Sequence, residues 1–192
     1  MLKRIIGVLT FRPAVYREIA ADVAATREAV FIVFLSLFVQ GVTAGLIEAD
    51  GRTRIVRSNL ARGLGETVAA IISGLVAWII AAWVLALVAK LLKGHTNTSE
   101  MLRVTGYVEV FGIIIILSVL APAFPALAFL AEAAVFIIAI LGLFGYLLGV
   151  SEAADLSIHR AFVAALAAGI INALVVLLIT DLVIRPLGIA GA

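Results

Sequence analysis

Four hydrogen-bonding or ionisable side chains stand inside long apolar stretches of this sequence: Gln40, Glu109, Glu132 and Asn172. At membrane depth such groups are costly, and each is a candidate either for a proton or ion pathway or for a tie between helices. With a helical rise of about 1.5 Å per residue, Glu109 falls roughly 12 Å below one end of its helix. Glu132 falls roughly 9 Å below the opposite end of the next helix, so across a core of about 30 Å the two differ by roughly 9 Å in height. That offset argues against a carboxylate dyad. Asn172 falls roughly 21 Å along its helix, level with Glu132, and the two are expected to hydrogen-bond or share a polar pocket. Gln40 falls near the midplane. One reading is a pathway through these four groups. The other, which we favour, is that they lock helices together at about 0.6–2 kcal/mol per hydrogen bond.

A second set, Arg103, Tyr107, Glu152, Asp155 and His159, falls near two loops on one side and is expected to form a polar cap joining them. His95 and His159 lack acid or thiol partners at ligand spacing, so no metal site and no cofactor are expected. No nucleophile elbow, phosphate-cradling glycine loop or paired-His motif occurs, and no enzymatic activity is expected.

The elements that carry these residues follow from composition. Of 192 residues 65% are hydrophobic and 14% charged, with a mean hydropathy of +1.26. Soluble domains run nearer 45–50% apolar and about 25% charged, so this is the composition of a multi-spanning membrane protein. The net charge of +2 comes from Lys and Arg at helix ends rather than on one face, which excludes a nucleic-acid surface. With no cysteine there is no disulfide framework or thiol chemistry. The apolar run Ile5–Leu9 is too short for a cleavable signal, and none is expected.

Residues 1–28 read as an amphipathic cytoplasmic segment. After Pro13, the apolar side Val15, Ile19, Val23, Thr26 and Val30 opposes Arg17, Glu18, Asp22, Arg27 and Glu28, which predicts a helix lying in the headgroup plane as a surface anchor. Residues 29–192 hold five spans at about 29–46, 67–91, 101–121, 126–150 and 158–184. Gly41 and Gly45 in the first are spaced for close helix approach. Glu48–Glu66, with Arg52, Arg54, Arg57 and Arg62, reads as a solvated connector with a short interfacial turn at Val56, Leu60 and Leu64. Trp78 and Trp83 lie mid-helix and are expected to pack against neighbours. Thr98 or Ser99 is expected to cap the third span, Ala121–Ala126 to turn the hairpin into the fourth, and Ser151–Ser157 to form an acidic loop. Asp181 and Arg185 can pair four apart. The predicted fold is an all-α membrane protein, a five-transmembrane-helix bundle with an N-terminal amphipathic interfacial helix.

Five spans put the chain ends on opposite sides. With the N-terminus inside, Lys3, Arg4, Arg12, Arg17, Arg27, Lys90, Lys93, Arg103 and Arg160 are cytoplasmic, against Arg52, Arg54, Arg57, Arg62 and Arg185 outside. Nine against five favours that orientation.

Several residues in this order resemble a known family. Lys93-Gly94-His95-Thr96 leads into Met101-Leu102-Arg103-Val104-Thr105-Gly106-Tyr107 at the third span. Gly149-Val150-Ser151-Glu152-Ala153-Ala154-Asp155-Leu156-Ser157 then precedes a last, Ala-rich helix. Over nearly its whole length the chain is similar to the Yip1-domain family of five-span membrane proteins, in its shorter prokaryotic form. The resemblance implies five spans in a prokaryotic cytoplasmic membrane, a cytoplasmic N-terminus and no enzymatic activity. Eukaryotic members act in vesicle traffic, interact with small Rab-type GTPases and associate with one another. Their long cytosolic N-terminal region has almost no counterpart here, so GTPase binding is not expected to carry over. The expected function is self-association, as a homo-oligomer, or association with another membrane protein among membrane lipids. The alternative is a homo-oligomeric channel or transporter using Glu109 and Glu132.

Overall fold

A computed structural model describes residues 1–50, 53–56, 60–119 and 124–184. Five of its helices are long and apolar enough to cross a membrane. They run consecutively up and down, leaving one end of the bundle beside the N-terminus and a far end beyond it.

At the N-terminal end, α1 (Leu2–Leu9) and α2 (Pro13–Ala21) pack onto the bundle. Pro13 opens α2 where a missing N–H costs nothing. The single helix expected from Pro13 to Val30 is instead two. Asp22 leaves helical geometry with ψ 110°, and its Oδ1 accepts the Ala24 N–H at 2.9 Å, a side-chain turn that competes with helix continuation. Val23, assigned to the apolar face, is 75% exposed in that break. The buried face of α2 is Tyr16, Ile19 and Ala20, and it meets helices rather than open headgroups.

The first span, α3 (Ala25–Leu46), leads to a short antiparallel hairpin, β1 (Ile47–Asp50) and β2 (Thr53–Val56), with Ile47 opposite Val56. That hairpin stands where a solvated connector was expected. The second span, Thr67–Leu91, has the expected bounds and lies within a longer helix, α4 (Leu60–Leu91). Its 32 residues give about 48 Å of helix, more than a hydrocarbon core of about 30 Å, so one end projects beyond it. Arg52, Arg57 and Arg185 lie outside the described residues, as do the side chains of Arg54 and Arg62 and much of the expected turn Ala121–Ala126.

The third span is segmented. Asn97, not Thr98 or Ser99, caps α5 (Thr98–Val108): its side chain accepts the Glu100 N–H while Glu100 accepts the Asn97 N–H, a complete capping box. The helix is interrupted at Glu109, resumes as α6 (Val110–Ile113) and tightens to a 3-10 helix over Ile114–Val119. A 3-10 turn, Pro125–Leu127, leads into α7 (Ala128–Ala154), which absorbs most of the expected acidic loop and ends at Asp155 with φ 54°. The last span is α8 (Ile158–Ile179), followed by a π turn, Thr180–Ile184.

The first three spans form the core, with 33%, 39% and 44% of their apolar windows buried, while α7 and α8 bury only 17% each. Close approach in that core depends on small residues. A Cβ added at Gly106 would meet the Ala29 Cβ at 2.8 Å, so α3 and α5 touch almost backbone to backbone. Gly41 is likewise buried inside the chain rather than presented outward. Trp78 packs as expected and donates from Nε1 to Thr105 Oγ1 at 3.0 Å, whereas Trp83 is 56% exposed.

Candidate functional site

Glu109 sits at the break in the third span, and two polar residues of α3 meet it there. Ser36 Oγ donates to Glu109 Oε2 at 3.0 Å, and Gln40 Nε2 donates to Ser36 Oγ at 2.8 Å. Ser36 and Gln40 lie four apart on α3, one helical turn, so a single face presents both. Gly112 lets the two elements close in, because a Cβ there would collide with Ser36 Oγ. Of the four intramembrane candidates, Gln40 and Glu109 thus share one cluster, completed by Ser36.

The other two lie elsewhere. Glu132 is exposed near the start of α7. Asn172, on α8, lines a cavity with Glu109. The cavity is a half-open cleft of about 820 Å³ between the third span, α7 and α8, and its wall is largely apolar, with Glu109, Tyr146 and Asn172 as its titratable or amide members. Asn172 Oδ1 is buried and has no hydrogen-bond partner. The third span is interrupted at Glu109, and side-chain direction around each axis decides which neighbours a residue faces.

At the N-terminal end a denser polar network replaces the expected cap. Arg103, only 5% exposed, donates through Nε to the Ala20 carbonyl at 3.0 Å and through its terminal nitrogen to the same oxygen. Tyr107 is fully buried and donates its hydroxyl to Glu28. Arg4 gathers Glu18 at 2.8 Å, Asp22 at 2.5 Å and Glu28 at 3.3 Å. Glu152 pairs with Arg17 at 2.9 Å. Asp155 and His159 are exposed and stand outside the network. The two loops are joined by main chain instead: the His95 N–H donates to the Ala154 carbonyl at 2.8 Å.

These contacts shift charge states in consistent directions. The Glu18 carboxylate holds the Arg4 guanidinium above its ordinary value, with Asp22 adding to it. The Ala24 N–H, then Arg4, holds the Asp22 carboxyl below the usual carboxylate range. Burial raises the Tyr16 phenol, whose hydroxyl donates to the Val8 carbonyl at 3.0 Å. Glu18, Asp22 and Glu28 were read only as the polar side of one amphipathic helix, and Arg4 only as a cytoplasmic basic residue. The overlooked signal was three acids within residues 18–28, a stretch whose only basic residue is Arg27.

Phe11 joins the two regions. In the turn between α1 and α2 it adopts φ 55°, a left-handed conformation unusual for an aromatic residue. Its ring stacks on Phe111 at 5.9 Å and meets Phe144 edge-on at 5.1 Å. Phe111 lines the cavity, so the N-terminal segment reaches its wall. Among the described residues no group of three or more His, Cys, Asp or Glu is placed to hold a metal ion.

No curated protein and no solved structure matches the chain. The family model for the Yip1 domain matches residues 6–180, which take in the first four membrane-crossing helices and all but the end of the fifth. The chain is therefore a multi-pass membrane protein that belongs to the Yip1 domain family.

Proposed function

We propose that this protein is a non-enzymatic membrane organiser of Yip1 type, acting through association with itself or with another membrane protein in the lipid. The observation that carries the reading is how polar groups at membrane depth are used. Ser36, Gln40 and Glu109 tie α3 to the third span, and Trp78 with Thr105 ties α4 to α5. Ties of this kind make a rigid body. The α7 and α8 faces, with Phe129, Phe136 and Leu174 pointing outward, are then the surface offered to lipids and partners. We place the protein in a prokaryotic cytoplasmic membrane with its N-terminus cytoplasmic and its C-terminus opposite, following the distribution of basic residues.

The chain has no cysteine, so single-Cys variants at Phe136 or Leu174 report contacts cleanly. Crosslinking in native membranes is expected to capture a second copy or one stable partner. Capture of neither overturns the reading. Labelling that places both chain ends in one compartment overturns the orientation.

A channel or transporter reading draws on the break at Glu109 beside the cavity. It requires flux through reconstituted protein that Glu109→Gln abolishes. Liposomes that stay tight across pH and salt gradients eliminate it.

A further inference from the structure

We propose that the cavity between the third span, α7 and α8 binds a neutral long-chain lipid alcohol, with its hydroxyl at Asn172 and Glu109. Its volume of about 820 Å³ falls among small-molecule sites of about 300–1,000 Å³, which are apolar with a few placed polar groups. The apolar wall, including Val135, Ile138 and Leu166, suits a hydrocarbon body. The polar members select the head.

Asn172 Oδ1 is a buried acceptor with no partner, and the Glu109 carboxyl offers acceptor capacity beyond its bond from Ser36. An acyl chain of bulk lipid satisfies neither, and leaving a buried acceptor unpaired is unfavourable. A hydroxyl supplies the missing donor. A phospholipid head does not fit the depth, because Asn172 lies 14 residues along α8, roughly 21 Å from its start. An anionic head would also be desolvated beside a carboxyl. The observations therefore favour a small, uncharged, donating head. This inference goes beyond the association reading and stands or falls separately from it.

Gly169 provides the control. It lines the cavity, and a Cβ built on it meets nothing within 4 Å, so a larger side chain enters open space. The test uses the full chain in nanodiscs with a long-chain fatty alcohol bearing a diazirine and an alkyne. Photolabelling is expected to saturate, to map to the facing walls of α7 and α8, and to be competed by unlabelled alcohol. The alkane and the fatty acid of equal length should not compete. Asn172→Leu is expected to lower labelling about tenfold, the value of one hydrogen bond. Gly169→Phe is expected to abolish it with circular dichroism and thermal melting unchanged. Labelling that never saturates, or that the alkane or fatty acid competes equally, identifies ordinary lipid contact and overturns the proposal. Should either variant unfold, the competition series on the unaltered protein still decides.

Discussion

Arg103 caps a helix to which it does not belong: from α5 it donates to the carbonyl of Ala20, 83 residues earlier in the chain. Ala20 lies in the last turn of α2, where carbonyls lack intrahelical donors and the helix dipole favours a cation. The guanidinium supplies both the donor and the charge, so an arginine almost wholly buried in the third span is accounted for by the end of another helix.

Removing that cap should release α2 without dissolving the bundle. Arg103→Leu leaves the Ala20 carbonyl unpaired, a loss of about 1–3 kcal/mol. Hydrogen exchange over Pro13–Ala21 should accelerate about tenfold or more, while α4 is unaffected. Arg103→Lys should recover part of the protection, since an ammonium lacks the planar fork. Unchanged exchange in α2 would contradict the assignment.

The Glu109 tie should depend on acceptor capacity rather than charge. Glu109→Gln keeps an oxygen for Ser36 and should change stability by less than about 0.5 kcal/mol, whereas Glu109→Ala should cost about 0.6–1.7 kcal/mol. Unfolding in mixed micelles measures both. Ser36→Ala combined with Glu109→Ala should be less than additive, because the two remove one interaction.

Glycine positions should divide sharply. Gly106→Ala forces a methyl against the Ala29 Cβ, which is fixed to the α3 backbone, and should destabilise by about 1–3 kcal/mol. Gly169→Ala meets open space and should be neutral or slightly stabilising through helix propensity. Equal melting temperatures for the two variants would refute the close α3–α5 approach.

Acid should loosen the N-terminal segment. The Asp22 carboxyl is depressed in the folded protein, chiefly by the Ala24 N–H and then by Arg4, so folding favours its ionised form. Its contribution is complete above the unfolded value of about 3.9 and is lost as pH falls through the lower folded value. A nitroxide at exposed Thr10 should therefore be immobile at neutral pH and gain mobility below about pH 4. Asp22→Asn should remove this contribution, and the gain in mobility on acidification should shrink with it.

Apolar run length alone carried the five spans, because hydrocarbon thickness fixes how many residues must cross. Local chemistry was readable too, but only where each signal was weighed. Asn97 with Glu100 is a complete capping pattern, and Asp22 two residues before Ala24 is a turn pattern. Each sits one or two positions from the residue periodicity favoured. What could not be read is what depends on rotation about helix axes. Ser36 and Glu109 are 73 residues apart, and nothing in either segment says that their faces meet. The same holds for Arg103 and Ala20. Depth placed Asn172 level with Glu132, but that it also lines a cavity with Glu109 depends on how the third span, α7 and α8 pack.

The docking of α2 also sets an order of biosynthesis. Its partners are α5 and α7: Arg103 holds its last turn, and Tyr16 lies against Gly149. α2 thus finds its seat only after the fourth crossing has entered the bilayer. Until then α2 remains available to chaperones, proteases or the insertion machinery, and its docking reports that the fourth crossing is in place.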